Sequence, residues 1–523
     1  MSSASRQPAM HLAGWRSLEF WVRPTTVVGV LVAYSLVHFA LRFYLSPTLG
    51  LDDAEQAMFG QELRLGYRFR QPPLYTWLLW GTIQFAGINL FAITIVNYVV
   101  LLVCYLFFYA AARLALQDNL RSALAIYALA LIYVFAWYEH HDLTHTAIKS
   151  TMIAVALFMT LRILLKKPTR LDYIVFGVIC GLGFLAKYNF VLYVLALAAA
   201  SLLVRQARQR FWSRGGLLAL GVFVLTIAPY IWWSITHDYS FRALTEKVIH
   251  ASDETNLWTT LANVWDLTVE ILAFPQPWLA IVILCLPALI LARGPAINDQ
   301  ERAVRHLLFW HMALGCLAFY AVALATGASF FKGRWMHPIL LPLPIWLFAG
   351  LSAERLWARG RRLIVFVGIT AATTLAIIPG RFAADIIGPL TCERCRLYFP
   401  FGALAEDLEA AGFRNGTILT DAFHIGGNLR LAFPESRLID VNYPLSVWPP
   451  AQSGGQCLLV WHPDSDAAPT QVPESLMGFL NDKLAASVDP PAPTVIARGL
   501  IGAPSRPYEL AYALFPDGAG DCQ

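Results

Sequence analysis

Leu90-Phe-Ala-Ile-Thr-Ile-Val-Asn-Tyr-Val-Val-Leu-Leu-Val-Cys-Tyr-Leu-Phe-Phe-Tyr-Ala-Ala-Ala112 contains no charged side chain, and Arg113 follows it directly. A helix of this length spans roughly 30 Å of hydrocarbon with a little to spare. Comparable apolar runs recur at about 25–45, 120–138, 147–165, 172–187, 189–204, 215–234, 267–292, 305–327, 335–352 and 362–380. Because a helix satisfies its own backbone polar groups in lipid, the chain reads as a polytopic α-helical membrane protein with about eleven transmembrane helices. Composition agrees: 57% of the 523 residues are hydrophobic and 14% charged, against roughly 25% charged in soluble proteins. Mean hydropathy is +0.54.

The loops between these runs set the topology. Arg113/Arg121, Lys166/Lys167/Arg170, Arg205/Arg208/Arg210/Arg214, Arg293/Arg302/Arg305 and Arg355/Arg359/Arg361/Arg362 fall in alternate loops, the pattern expected of the cytoplasmic side. An odd span count then puts the C-terminus outside. The net charge of +5 is spread over these short loops, so no basic patch suited to nucleic acid is formed. Arg6, Arg16 and Arg23 precede the first run, which is longer than the apolar part of a signal peptide and is read as an uncleaved helix. Residues 1–380 are expected to form the membrane domain, with an outer loop at 46–89. From 381 to 523 the apolar runs shorten and Gly/Pro punctuation rises, as in a soluble α/β domain. Helices at Leu404–Ala411 and Ile425–Ala432 and strands at Thr417–Leu419 and Arg437–Val441 are expected there. Cys392, Cys395, Cys457 and Cys522 lie in that domain, where an outer location favours disulfides whose pairing the spacing does not assign. The stretch Leu74 to Phe85 is short for a span and reads as an interfacial or re-entrant helix, with Trp77 and Trp80 at headgroup level.

Chemistry is expected in the outer loops. The first contains Asp52-Asp53-Ala-Glu55 and then Tyr67-Arg-Phe-Arg70-Gln-Pro72-Pro73. A carboxylate beside the membrane surface suits proton removal from an acceptor hydroxyl, acceptor orientation or divalent-ion binding. The competing reading is a solvated helix start, with Asp52 or Asp53 as its cap. A second loop reads Tyr138-Glu139-His140-His141-Asp142-Leu-Thr-His145-Thr-Ala-Ile-Lys149. If the fourth helix begins there, His141 and His145 share a face and form a weak metal candidate; substrate hydrogen bonding by His141, Asp142 and His145 is the better functional reading, and a polar, interface-facing turn is the simpler alternative to both. Lys187-Tyr188-Asn189 and Lys332-Gly-Arg334-Trp335 place cations on the outer side, against the positive-inside tendency. Snorkelling explains either one alone, but together they suit a lipid phosphate. Gly426-Gly427 fits either a phosphate-binding turn or, more simply, a helix boundary.

Asp52-Asp53-Ala54 with Gln71-Pro72-Pro73-Leu74, Gly181-Leu-Gly-Phe-Leu-Ala-Lys187-Tyr188, and Lys332-Gly-Arg334-Trp335 leading into Pro342-Leu-Pro344 resemble one known family. It comprises the polyprenyl-phosphate-dependent membrane glycosyltransferases of the GT-C fold, the branch containing protein O-mannosyltransferases and aminoarabinose transferases (glycosyltransferase families 39 and 83). The resemblance implies catalysis at Asp52 and Asp53, with Asp53 standing where the family usually has Glu. It implies donor-phosphate binding by Lys187, Arg334 and Lys332. Arg70 is the candidate to replace the family Lys at the Gln71 position. Tyr188 joins His141, Asp142 and His145 as an acceptor or substrate contact. A second family acid near the start of the fourth helix has no direct match, its position falling at Lys149-Ser150.

The implied function is inverting transfer of a monosaccharide from a polyprenyl-phosphate donor to an envelope acceptor (lipid A, another lipid, polysaccharide or protein), at the outer face of a bacterial cytoplasmic membrane. The C-terminal domain would contact acceptor or polymer. A divalent cation is a candidate cofactor, and sugar, acceptor and isoprenoid length are not legible. The rival class is a transporter or flippase of a lipid-linked or acidic solute, although no inverted internal repeat is visible. A non-catalytic scaffold is a third reading.

Overall fold

The computed structural model describes residues 18–68, 71–141, 143–237, 257–287, 298–328, 331–350, 352–393, 395–451, 454–463, 471–486 and 489–523. Among them, six helices are long and apolar enough to cross a membrane: Pro24–Leu45, Leu90–Leu116, Thr144–Leu165, Arg214–Thr236, Asp299–Thr326 and Gly360–Thr391. Each covers an expected run. Arg170–Ala186 and Val191–Leu203 cover two more but are shorter.

The remaining runs are broken, and each break has a visible cause. At 335–352 the chain forms His337–Leu340 and Leu343–Phe348, because Pro338, Pro342 and Pro344 cannot donate a backbone hydrogen bond. At 120–138 it forms Asn119–Tyr127, a 3-10 turn at Leu129–Leu131 and Tyr133–Ala136. These segments are almost entirely buried within protein, where irregular backbone at membrane depth is tolerated. The run at 267–292 is interrupted after Ala273 by Phe274-Pro275-Gln276-Pro277 and resumes at Trp278–Cys285.

Leu74–Ala86 is a helix of 13 residues, about 20 Å long and too short to cross. Its Trp77 does not sit free at a lipid surface. The indole N–H donates to the Arg64 carbonyl at 2.7 Å, and the ring packs against the apolar cores of both the bundle and the C-terminal unit.

The last long helix runs past residue 380 to Thr391. Beyond it lies a five-stranded sheet in the order β2-β1-β3-β5-β4, with β1 Gly416–Thr420, β2 Arg437–Asp440, β3 Gln456–Trp461, β4 Thr494–Leu500 and β5 Ala503–Phe515. β1 pairs in parallel with β2 and β3, placing Ile418 opposite Leu438 and Leu458, while β5 runs antiparallel to β3 and β4. β1 to β3 are buried almost throughout, as in a sheet covered on both faces. Disulfides join Cys457 of β3 to Cys522 and Cys392 to Cys395, which assigns the pairing left open by the spacing.

The outer loop is shared between these two bodies. Ala54 and Ala57 pack into the bundle core, whereas Met58, Phe59 and Tyr67 belong to the core of the C-terminal unit.

Candidate active site

The acidic residues of the first loop form a nine-residue helix, Leu51–Phe59, whose N-cap is Gly50. Neither Asp52 nor Asp53 caps it. Both lie in its first turn, where carboxylates are favoured by the free N–H groups and the helix dipole, and the two then diverge. Asp53 is buried and pairs with Arg42 at 3.4 Å. Arg42 also donates to the carbonyls of Ser46 and Thr48 at 3.0 Å each, fastening the loop to the end of the first span. Burial pushes the Asp53 carboxyl up, Arg42 opposes it, and Asp52 beside it adds to the rise.

Asp52 faces cations. Burial pushes its carboxyl up, and Lys187, Arg68, Arg334 and Arg396 pull against that rise. The helix Arg170–Ala186 ends one residue before Lys187, which serves as its C-cap. Its ammonium donates to the Thr146 hydroxyl at 3.1 Å. Burial pushes Lys187 down to about 8, Asp52 resists, and Arg334, Lys332 and Arg68 lower it further. Lys332 is half-buried, and burial together with Arg334 lowers its pKa too. Arg68 is ion-paired with Glu55 and reaches the Tyr443 hydroxyl at 3.4 Å.

Arg334 rests on a buried polar chain. Its carbonyl accepts from the Lys149 ammonium at 2.7 Å and lies 2.6 Å from His337 Nδ1. His337 Nε2 stands 3.1 Å from Glu139 Oε1, to which the Ser150 hydroxyl donates at 2.6 Å. Glu139, Lys149 and His337 are at most 1% exposed. Glu139 thus brings a carboxylate from the preceding turn to the Ser150 position, where the resemblance expects an acid. The Arg334 Nε is buried and without a hydrogen-bond partner among the described residues.

His145 is buried and sits 2.9 Å from the Gln56 amide, whose oxygen accepts from Thr76 at 2.5 Å. The Tyr188 hydroxyl lies 2.5 Å from that of Tyr230. The condition for a shared His141/His145 face fails, because the fourth helix starts at Thr144. His141 instead bonds the Trp137 carbonyl at 2.8 Å and stands beside the His38/His140/Arg381 cluster. Among the described residues no group of three or more His, Cys, Asp or Glu side chains could hold a metal ion. Arg70 and Asp142 lie outside the described residues.

The structure therefore brings Asp52, Lys187 and Arg334 together with Lys332 and sends Asp53 and His141 elsewhere. Sequence reasoning missed Arg68, Arg396, Glu139, Lys149 and His337 as members. Glu139 and Lys149 lie within the charge-dense loop, and His337 follows the Lys332-Gly-Arg334-Trp335 motif by two residues, so the signal available was proximity to a motif.

The chain matches the family described as Dolichyl-phosphate-mannose-protein mannosyltransferase over residues 70–233. It is 28% identical over 460 residues to the lipopolysaccharide core galacturonosyltransferase RgtB of Rhizobium johnstonii, covering 87% of this chain and 91% of that protein. It is 26% identical to an undecaprenyl phosphate-alpha-4-amino-4-deoxy-L-arabinose arabinosyl transferase of Pseudomonas fluorescens, over 64% of this chain and 62% of that one. Its fold is that of ArnT from Cupriavidus metallidurans, solved bound to undecaprenyl phosphate, with a TM-score of 0.59, 14% identity and coverage of 94% and 98% of the two chains. These relatives are transferases and not transporters. With a carboxylate and a cluster of cations assembled beside the bundle, the chain is a membrane glycosyltransferase that uses a polyprenyl-phosphate sugar donor, and its motifs and fold are similar to those of the GT-C enzymes.

Proposed function

We propose that the chain transfers a hexuronic acid, galacturonate being the first candidate, from a polyprenyl phosphate to a sugar hydroxyl of lipopolysaccharide at the outer face of the inner membrane. The observation that carries this reading is the surplus of positive charge at one carboxylate. Lys187, Arg68, Arg334 and Arg396 act on Asp52, with Lys332 beside Lys187, while Glu55 is the acid paired with Arg68. A donor phosphate neutralises part of that surplus, and a sugar carboxylate is a natural partner for the rest, since Arg offers a planar fork and Lys a point charge. RgtB and RgtA, both named lipopolysaccharide core galacturonosyltransferases, make the uronate and the core acceptor the first substrates to try.

In this reading Asp52 takes the proton of the acceptor hydroxyl as its oxygen attacks the anomeric carbon. The bond from that carbon to the phosphate oxygen breaks, configuration inverts, and the polyprenyl phosphate leaves with the electron pair. Lys187, Arg334 and Lys332 stabilise the charge that develops on it. Arg68 is a second loop cation beside the site, in addition to Arg70. About eleven membrane crossings, with the C-terminal unit outside as a soluble domain, complete the proposal and put the site on the side where lipopolysaccharide is modified.

The test uses purified protein in liposomes with undecaprenyl-phosphate galacturonic acid, undecaprenyl-phosphate aminoarabinose or undecaprenyl-phosphate mannose, and lipopolysaccharide as acceptor. A product heavier by one hexuronosyl residue is expected with the first donor. Faster transfer from either uncharged or amino sugar would overturn the uronate assignment.

A further inference from the structure

The helix Phe423–Ala432 of the C-terminal unit carries Gly426 and Gly427 in its interior, so this pair is neither a phosphate turn nor a helix boundary. A Cβ on Gly427 would collide with the Ala54 backbone, and one on Gly426 with the Met58 side chain. The missing side chains let this helix lie directly against Leu51–Phe59, as small residues do wherever helix backbones approach closely. Polar groups fix both ends of the contact. At the start, the Asn428 side chain accepts from the Leu49 N–H at 2.8 Å and His424 Nε2 lies 2.9 Å from the Leu49 carbonyl. At the far end, Arg430 donates to the carbonyls of Ala57 and Gly60, the groups a helix C-terminus leaves unsatisfied.

Arg430 is 6% exposed, and among the described residues no carboxylate pairs with it. Burial alone pushes its guanidinium down to about 9. A buried cation whose partners are two carbonyls at the C-terminal end of one short helix anchors that end, where the helix dipole favours positive charge. The same side chain cannot touch the reacting atoms, since it sits at the end of the helix opposite Asp52.

We infer that Arg430 is a positioning residue for Asp52, and that the C-terminal unit is a structural half of the active site as well as any acceptor-contacting module. The inference rests on the reading of Asp52 given above. Displacement of a reacting group by about 1 Å costs on the order of 10²-fold in rate, so losing this anchor acts on turnover while Lys187, Lys332 and Arg334, held by the bundle, are untouched.

Full-length Arg430→Met and Arg430→Lys are prepared in native and Asp52→Asn backgrounds, and transfer from undecaprenyl-phosphate galacturonic acid to lipopolysaccharide is measured. Arg430→Met is expected to lower kcat about 10-fold to 10²-fold with donor KM within about twofold of native, and to add nothing to Asp52→Asn. Arg430→Lys is expected to regain part of the rate. Equal fold-losses in both backgrounds, or native turnover by folded Arg430→Met, would overturn the inference. Should Arg430→Met fail to fold, Arg430→Lys is judged by the same comparison of backgrounds. Near-native turnover by Asp52→Asn itself would instead sink the reading of Asp52, so the two failures are distinguishable.

Discussion

On the bundle side of the site, Arg334 is held by Lys149, His337 and Glu139, all ionisable and all sealed from solvent. On the C-terminal side, the acidic helix is held by two glycines, an asparagine, a histidine and Arg430, which address backbone groups and shape. Burying ionisable groups in a membrane protein is costly, and such groups are retained where charge itself must be placed. Backbone hydrogen bonds and small residues are inexpensive and set distance. The bundle therefore places Lys187, Lys332 and Arg334, the cations proposed to meet a donor phosphate, and the C-terminal unit sets how far the carboxylate stands from them.

The largest expected effect tests the carboxylate. Asp52→Asn keeps size and removes the base, so transfer should fall by at least about 10²-fold with donor binding retained. Asp53→Asn leaves Arg42 its carbonyl partners, so transfer should stay within about 10-fold of native while thermal stability falls, loss of a hydrogen bond to a charged group being worth about 1.5–3 kcal/mol. The reverse ranking in a rate assay on folded variants would show that the wrong acid was chosen.

Lys149→Met tests the bundle side. Removing one member of a buried hydrogen-bonded set leaves its partners unsatisfied and costs about 1–3 kcal/mol of stability, measurable by thermal unfolding in detergent. If Lys149 acts through Arg334, its donor KM rises as in Arg334→Ala, and the double variant shows no further rise. Additive KM effects would break the proposed link between the buried chain and the phosphate site.

The smallest effect is a shape change in a pH profile. Burial holds Lys187 at about 8, so this group is charged below that pH and neutral above it. kcat/KM should therefore fall as pH rises through about 8, because the free protein loses a phosphate-binding cation. Lys187→Arg, whose guanidinium stays charged, should remove that limb. A limb unchanged in Lys187→Arg would assign it to another group.

Much of this organisation is legible without coordinates. The apolar runs located the long helices, since hydrocarbon thickness fixes their length, and the acids of the first loop were found because carboxylates beside a membrane surface stand out against an apolar chain. Leu74–Ala86 was readable as non-spanning for the same reason. The separation of Asp52 from Asp53 was not legible. Adjacent residues of one type carry no local signal of which partner each will meet, and their partners Arg42 and Lys187 are brought to them by packing. Glu139 likewise stood in plain view, but its link to Ser150 and His337 depends on how a broken helix turns.

The sequence by itself determined that this is a multi-span membrane protein, that its basic residues cluster in alternate loops and that a second α/β body follows the last span, because hydrophobic length, charge bias and local periodicity are properties of consecutive residues. Only the tertiary structure decided that Lys149 supports Arg334, 185 positions away, and that Arg430 clasps Ala57, 373 positions away. Contacts across such separations depend on which faces the folded bodies present to one another, and no local pattern encodes that.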